Sequence, residues 1–282
     1  MNVLTVYCAP PPEQMPIGSS ERQKRAILGL AIAALAHPAL LIAEPAAAAT
    51  KTPRASAAGK RAAASAVRVP AAATLRYRVT GRVRGIGYKA DARLEWRHQD
   101  GRYQAQWSLE LPLLGTRTQR SEGRLTLDGL APERFSERSR SERSASFDAK
   151  NQRIRFSGDQ PDAVLEPGAQ DRLSVTLQLA ALLAAAPKRY PPGARITLQT
   201  VGVRGAERWV WEVRADETLT LAARKLPCVH LLREPREEGD IGVDLWLART
   251  LEYLPVRLRL TQDDGDVADQ QLQAFDMQST GR

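Results

Sequence analysis

The sequence predicts a mainly β protein in which one large curved antiparallel sheet, resembling half a barrel, is closed by one apolar helix at about residues 171–186. Two observations support this fold class. From Leu75 onward, apolar and polar residues alternate with a period of two, which is typical of antiparallel strands with one buried face. One segment, 171–186, departs from this pattern and repeats its apolar residues at helical spacing.

The predicted helix is apolar on almost every side. Ser174 and Gln178, one turn apart, form its polar stripe. Asp171 is a suitable N-cap, and Pro187 stops the helix. A helix this apolar cannot lie on a surface with one side in water, so it should be covered on most sides. We therefore expect the helix to act as a plug, that is, to be packed between two groups of strands.

Three alternating segments begin the sheet. They cover residues 75–83, 88–96 and 103–111. Asp100-Gly101 between the second and third is a two-residue hairpin signal, and it sets Trp96 opposite Ala105. The meander is expected to continue through 117–127, 133–147 and 153–157. After the helix, strands are predicted at 195–203, 208–214, 218–222, 228–233, 241–247, 254–262 and 267–275.

The first hairpin produces a patch of small residues. A two-residue turn at 85–86 would set Gly81 opposite Ala90 and Val79 opposite Ala92. Gly81, Ala90 and Ala92 then fall together on the buried face, where close packing requires something to fill the space. The helix is the favoured filler, and a bound ligand is the alternative.

The buried faces also supply the candidate ligand-binding residues. Aromatic residues at strand spacing are usually core residues, and a ligand pocket is the less common interpretation. On the pocket interpretation, the candidates are the aromatic and small residues of these faces and one helix residue: Tyr77, Gly81, Ala90, Ala92, Trp96, Trp107, Leu177, Trp209 and Trp211.

The N-terminal part is organised differently. Residues 1–20 form an irregular extension, and 21–49 combine a basic start, an apolar run and small residues, as in a signal peptide. The apolar run 26–43 is also near the lower limit for a membrane anchor. Residues 50–74, rich in Ala, Pro and basic residues, are expected to be a disordered tether, and 75–282 a single β-rich domain. Export to the periplasm is predicted, with inner-membrane anchoring as the alternative.

The positive charge is concentrated in the tether. The net charge is +9, of which residues 50–74 carry +5 with no acidic residue. Contact of residues 51–68 with an anionic membrane or envelope polymer is therefore a candidate interaction. Nucleic acid is not an expected partner, because the remainder of the chain is only modestly basic. The charged run 133–144 is interpreted as a solvated strand pair or a charged sheet edge.

Known catalytic motifs are not found in the sequence. His98 and His230 have no second metal ligand nearby in sequence, and Cys228 is interpreted as a small buried hydrophobic residue. The sequence thus predicts no catalytic residue, no metal site and no cofactor, and favours a protein that is not an enzyme.

Several stretches resemble a bacterial family known as domain of unknown function 3108. They are 123–127, 129–135, 167–175, 253–257 and 265–269. The resemblance implies an exported, β-rich protein of the Gram-negative envelope, often behind an Ala/Pro-rich spacer. The family carries no established activity, so it assigns no functional residues.

Two functions remain open from the sequence. The first is a periplasmic protein that binds a lipid-like or other apolar ligand between sheet and helix. The second is a scaffold or interaction protein that contacts anionic envelope polymers or a protein partner.

Overall fold

A computed structural model describes residues 67–111, 115–221, 223–236, 239–262 and 265–278. Sixteen strands and one α-helix occur within these ranges. The strands are β1 (Ala73–Val83), β2 (Ile86–Gln99), β3 (Arg102–Leu111), β4 (Gly115–Thr126), β5 (Gly129–Arg138), β6 (Glu142–Asp148), β7 (Arg153–Phe156), β8 (Ala163–Val164), β9 (Gln170–Asp171), β10 (Arg195–Val201), β11 (Ala206–Val213), β12 (Glu217–Leu221), β13 (Arg224–Arg233), β14 (Gly242–Ala248), β15 (Leu254–Thr261) and β16 (Val267–Met277). The helix is α1 (Ser174–Ala185), and short 3-10 turns span Pro187–Arg189 and Arg249–Leu251.

All sixteen strands within the described ranges belong to one open sheet. Its order is β8-β7-β6-β5-β4-β3-β2-β1-β16-β15-β14-β13-β11-β10-β9, and β12 branches off by pairing with β13. Neighbouring strands are antiparallel except β9 and β10. The sheet is not closed by hydrogen bonds into a barrel, but its last strand, β9, comes back against β5. The predicted fold class, a large antiparallel sheet closed by one apolar helix, is confirmed.

The second hairpin forms as predicted, but the first does not. Trp96 pairs with Ala105, as the Asp100-Gly101 turn requires. The first turn, however, consists of Arg84 and Gly85, whose φ angles are 50° and 80°. Both residues take the left-handed conformation that a two-residue turn favours. The predicted turn at 85–86 is therefore wrong by one residue.

The corrected turn shifts the pairing of the first two strands by two residues. Gly81 lies opposite Tyr88, not opposite Ala90, and Ala92 lies opposite Tyr77. The Tyr88 ring lies directly over Gly81, where a Cβ atom would collide with it. An aromatic ring that covers a strand glycine replaces the missing side-chain contacts. The prediction that the helix fills the space at Gly81 is thus wrong, and α1 packs mainly against β5, β9 and β15.

The helix begins later than predicted. Its N-cap is Leu173 rather than Asp171, which belongs to β9. The Asp171 carboxylate nevertheless accepts hydrogen bonds from the backbone N–H groups of Leu173 (2.9 Å) and Ser174 (2.7 Å). Asp171 therefore performs the chemical role of a cap from a position just outside the helix.

The helix lies between two apolar clusters, as the plug interpretation requires. Leu177 is fully buried in the cluster formed by β1–β7 and parts of the C-terminal strands. Val175, Leu179 and Leu183 are buried with residues of β10, β11, β13 and β14. Its polar stripe faces β5: Gln178 Oε1 accepts from the Leu130 N–H at 2.8 Å, and its Nε2 donates to the Asp128 carbonyl at 2.8 Å. Most helix residues are buried, so the expectation of cover on most sides is confirmed.

The charged segment 133–144 forms a strand pair. β5 and β6 contain its two halves, and both lie inside the sheet order rather than at an edge. Its charges pair on the outer face: Glu133 binds Arg102 (2.6 Å) and Arg124 (2.8 Å) from neighbouring strands. The strand-pair interpretation is confirmed, and the sheet-edge alternative is wrong.

The first described residues already contact the sheet region, because the Val67 N–H donates to the Leu127 carbonyl at 3.2 Å. The carbonyl of Pro70 accepts a hydrogen bond from Trp96 Nε1 (2.9 Å), and the Ala71 N–H donates to Glu252 Oε2 (2.7 Å). Pro70 is buried, and β1 starts at Ala73. The expected tether to residue 74 is therefore too long by several residues. The N-terminal extension, the signal or anchor segment and the tether up to residue 66 lie outside the described residues.

A chain that starts at Leu75 should be less stable than one that starts at Val67. Removal of Pro70 leaves the buried Trp96 N–H without its acceptor, which by itself costs about 1–3 kcal/mol. Urea unfolding of the two chains at equal m-value measures the difference in the free energy of unfolding. Equal midpoints would show that residues 67–74 contribute nothing to the packed structure.

Candidate ligand-binding cleft

An apolar cavity lies between the buried face of the first strands, the start of the helix and the last strands. It has a volume of about 100 Å³. Its walls come from β1–β4, the segment 172–176, and β14–β16. The lining residues are Tyr77, Val79, Tyr88, Leu94, Trp107, Leu109, Gln119, Arg172, Leu173, Thr176, Leu245, Pro255, Leu258, Leu260, Ala268 and Gln270. Its surface is mainly apolar, with a few polar groups, as is common in sites for small apolar molecules.

Two aromatic side chains hold the opposite walls together. Tyr77 on β1 donates its hydroxyl to the Pro255 carbonyl on β15 at 2.8 Å. Trp107 on β3 donates Nε1–H to Gln270 Oε1 on β16 at 2.9 Å. Burial raises the pKa of Tyr77 above its ordinary value of 10.0. Because their polar atoms are occupied, both rings present apolar surface to the cavity.

A second, smaller cavity continues from the first along the helix. It has a volume of about 50 Å³, and it shares Arg172, Thr176, Leu258 and Leu260 with the first cavity. Val175 from the helix and the indoles of Trp209 and Trp211, whose centroids are 6.0 Å apart, form its apolar walls. We call the two cavities together the cleft, with a large and a small lobe.

The structure separates the sequence candidates into two groups. Four of them line the cleft: Tyr77 and Trp107 in the large lobe, and Trp209 and Trp211 in the small lobe. The others are placed elsewhere: Gly81 lies under the Tyr88 ring, and Ala90, Ala92, Trp96 and Leu177 are buried in the packed core. The aromatic residues of the earlier and later strands thus come together along one surface.

A buried hydrogen-bond chain fixes the start of the helix to the sheet. Ser121 on β4 donates its hydroxyl to Asp171 Oδ2 at 2.5 Å, and the Tyr103 hydroxyl lies 3.0 Å from the Ser121 oxygen. Asp171 is completely buried, and this burial raises its pKa to about 6 even though Ser121 and the amides of residues 173 and 174 favour the charged form. These hydrogen bonds position Arg172 and Leu173, the residues that follow Asp171, at the wall of the cleft.

A group of charged residues borders the small lobe. Asp240 is bound by Arg233 Nη2 through both carboxylate oxygens, at 2.9 and 2.8 Å, and Arg236 contacts Glu207. Burial raises the pKa of Asp240, but the hydrogen bonds from Arg233 and from two backbone amides outweigh it and bring the value to about 2. Arg233 also stacks over Trp209, with its Cζ atom 4.5 Å from the ring centroid.

Sequence reasoning missed three buried polar residues of β4, of which Gln119 lines the large lobe. Arg117, Gln119 and Ser121 occupy alternate positions on β4, and all three are buried. The period-two pattern itself places them on the inner face, which was the available signal. Arg172 gave no signal, because its neighbours Glu207 and Asp240 are distant in sequence.

His230 and Cys228 do not line the cleft. His230 stacks on Trp246 and lies 2.9 Å from Glu217 and 2.8 Å from Asp244, a grouping that sequence reasoning also missed. Within the described ranges, no group of three or more His, Cys, Asp or Glu residues is arranged to hold a metal ion. Cys228 is fully buried, as predicted, and burial raises its pKa to about 11.

Comparison of the sequence with protein families gives one match. The model of the family described as "Protein of unknown function (DUF3108)" matches residues 76–272, well over half of the chain. The chain belongs to the DUF3108 family. The resemblance predicted from short stretches of sequence is thus confirmed over nearly the whole sheet. No protein of curated function matches this DUF3108 chain.

Solved structures resemble this DUF3108 protein in fold. A β-barrel-like protein of DUF1849 from Brucella abortus aligns with 76% of this chain and 100% of its own, with a TM-score of 0.52 and 12% identity. A DUF1329 protein from Desulfovibrio piger aligns over 76% of this chain and 88% of its own, with a TM-score of 0.31 and 8% identity. At these identities, the first match shows likeness of fold and nothing about activity, and the second is too weak to support a conclusion.

Proposed function

We propose that this DUF3108 protein binds a lipid-like or other apolar molecule in the cleft between its sheet and its helix. The observation that carries the proposal is the largely apolar surface of the two adjoining lobes, which Tyr77 and Trp107 line at one end and Trp209 and Trp211 at the other. Half-buried Tyr88, Leu258, Leu260 and Ala268 line the large lobe, and they provide a route into it from solvent.

The proposed site of action is the periplasm. The basic and apolar segment 21–49 supports export, and the apolar run 26–43 supports inner-membrane anchoring as the alternative. Among the residues that the structure describes, no helix is long and apolar enough to span a membrane. The intact mass of protein recovered from the periplasm distinguishes a cleaved chain from an anchored one.

A scaffold that contacts anionic envelope polymers is the second candidate function. It is favoured by a polar basin of about 320 Å³ on the outer face of β3–β6. Arg120, Arg134 and Arg138 line the basin together with Glu122 and Glu142. Residues 51–68 would add basic charge near the start of the domain.

Mass spectrometry of an organic extract from protein purified out of a periplasm tests the choice between the two functions. A stoichiometric apolar compound supports the cleft as a binding site. A clean extract combined with retention on an anionic polymer column supports the scaffold. Loss of that retention in a variant with Arg134→Gln and Arg138→Gln would assign it to the basin.

The large lobe can be filled by one substitution. Ala268 on β16 lines the lobe, and Ala268→Phe should weaken binding of the neutral fluorescent probe N-phenyl-1-naphthylamine by about tenfold or more, the equivalent of roughly 1.4 kcal/mol. Probe fluorescence titration measures the dissociation constant.

Ala274→Phe is the matched control, because Ala274 is exposed on the same strand and does not line the lobe. It should bind the probe as the natural chain does. Unchanged binding in Ala268→Phe, with both variants folded, would place the probe outside the cleft.

A further inference from the structure

We infer that the ligand of the cleft is an amphiphile with one anionic head group, carboxylate or phosphate, which binds the guanidinium of Arg172 while its apolar chain occupies the lobes. This inference rests on the proposed function and specifies the ligand of the same site. Arg172 is the residue that carries it, because its side chain lines both lobes at their junction.

Arg172 is a cation in a largely apolar wall. Its side chain is 11% exposed, and its guanidinium packs against Gly202, where a Cβ atom would approach Nε to 3.0 Å. A charge at such a position loses most of its hydration and requires a close partner to compensate. Because Gly202 has no side chain, the space beside it can be occupied by the guanidinium of Arg172 at the wall of the cleft.

The nearby carboxylates are engaged by other residues. Glu207 contacts Arg236, and its distance to Arg172 Nη2 is 4.0 Å. Both carboxylate oxygens of Asp240 accept hydrogen bonds from Arg233 Nη2. Glu137 accepts a hydrogen bond from Gln119 at 3.0 Å; burial raises its pKa, and the charge of Arg172 acts in the opposite direction.

N–H donors of the Arg172 guanidinium are therefore available to a ligand. Within the described part of the chain, its closest ionic contact is the 4.0 Å pair with Glu207, which is longer than a hydrogen bond. A guanidinium binds a carboxylate or phosphate through two parallel hydrogen bonds, a geometry that neutral head groups do not match. The apolar lobes on either side, about 100 and 50 Å³ in volume, would contact the part of the hydrocarbon chain next to the head group.

Displacement of N-phenyl-1-naphthylamine by three amphiphiles of equal chain length tests this inference. In the natural chain, dodecanoate and dodecyl phosphate should displace the probe at about tenfold to hundredfold lower concentration than dodecanol, as expected for a charge-assisted hydrogen bond. Inorganic phosphate alone should not displace it. If inorganic phosphate displaced the probe at the concentration at which dodecyl phosphate does, the site would bind the free anion, and the inference would be overturned.

Arg172→Gln should abolish the preference for anionic head groups and retain probe binding. Arg195→Gln is the matched control, because Arg195 is 71% exposed and lies outside the cleft; it should keep the preference. Equal displacement by all three amphiphiles in the natural chain, or a preference that survives in Arg172→Gln, would overturn the inference. Failure of the natural chain to bind the probe would instead overturn the proposed function.

A second measurement needs no variant. The carboxyl carbon of ¹³C-labelled dodecanoate bound to the natural chain reports its protonation by NMR. Pairing with Arg172 should hold the pKa of the bound acid below that of free dodecanoate, whereas an apolar site without the cation should raise it. A raised value would contradict the pairing.

Discussion

Leu177→Ala and Leu179→Ala should each lower the free energy of unfolding by about 2–5 kcal/mol, the usual cost of such a truncation in a packed core. Both side chains are fully buried, but they belong to different apolar clusters on opposite sides of the helix. If the β-rich part of the chain forms a single domain, as the sequence predicts for residues 75–282, both variants should shift one shared transition. Thermal and urea unfolding, followed by tryptophan fluorescence and circular dichroism, measure the number of transitions and the midpoint of each.

Leu127→Ala provides the matched control, because Leu127 is 79% exposed. It should change the free energy of unfolding by no more than about 0.5 kcal/mol. Two separate transitions, with Leu177→Ala affecting one and Leu179→Ala the other, would show that the two clusters belong to independent domains.

The buried carboxyl of Asp171 should make the natural chain lose stability as the pH rises from about 4 to about 6. Its folded pKa of about 6 lies above the ordinary value of 3.8, so the folded state holds the proton more tightly than the unfolded state. The stabilisation is complete below the unfolded pKa and is lost as the pH passes the folded pKa. A shift of this size corresponds to about 3 kcal/mol.

Asp171→Asn should remove that part of the pH dependence. An asparagine Oδ1 can still accept from the amides of Leu173 and Ser174, so the start of the helix keeps its hydrogen bonds. The measurement is the difference in the free energy of unfolding between the two chains at pH 4 and pH 7. A difference that does not vary with pH would mean that Asp171 has the same pKa in both states.

Asp240→Asn is the control with the opposite sign. The folded pKa of Asp240 is about 2, below its ordinary value of 3.8. The natural carboxylate therefore adds stability above the unfolded pKa, and this stability is lost as the pH falls toward 2. Asp240→Asn should lower the free energy of unfolding at neutral pH. In acid, the free energies of unfolding of the variant and the natural chain should become more similar.

The fold was predictable because two periodicities in the sequence match two kinds of secondary structure. The buried positions of β1, such as Leu75, Tyr77 and Val79, are those that alternation selects. The register of the first hairpin was not predictable from the same pattern. A shift of two residues leaves every side chain on its original face, so alternation cannot distinguish the pairing of Gly81 with Ala90 from its pairing with Tyr88.

The cleft was predictable only in its aromatic part. Trp107 and Trp209 could be placed on buried faces by strand periodicity. That they would line two lobes of one cleft depends on where the helix lies, and no local pattern encodes this. Arg172 illustrates the same limit, because its position next to Glu207 depends on β9 lying beside β10. Such contacts arise from the packing of distant segments, which one sequence does not reveal.

The pairing of β1 with β16 has a consequence for how the chain folds. The first strand lies in the middle of the sheet, and one of its two neighbours is the last strand, with Leu75 opposite Phe275. This contact spans nearly the entire domain, so its formation requires closure of a very long loop and should be slow. While the chain is being synthesised, β1 has only β2 beside it and exposes an unpaired edge until β16 has been made. An unpaired strand edge can pair with other chains, so the nascent protein should depend on protection of β1 until β16 is added.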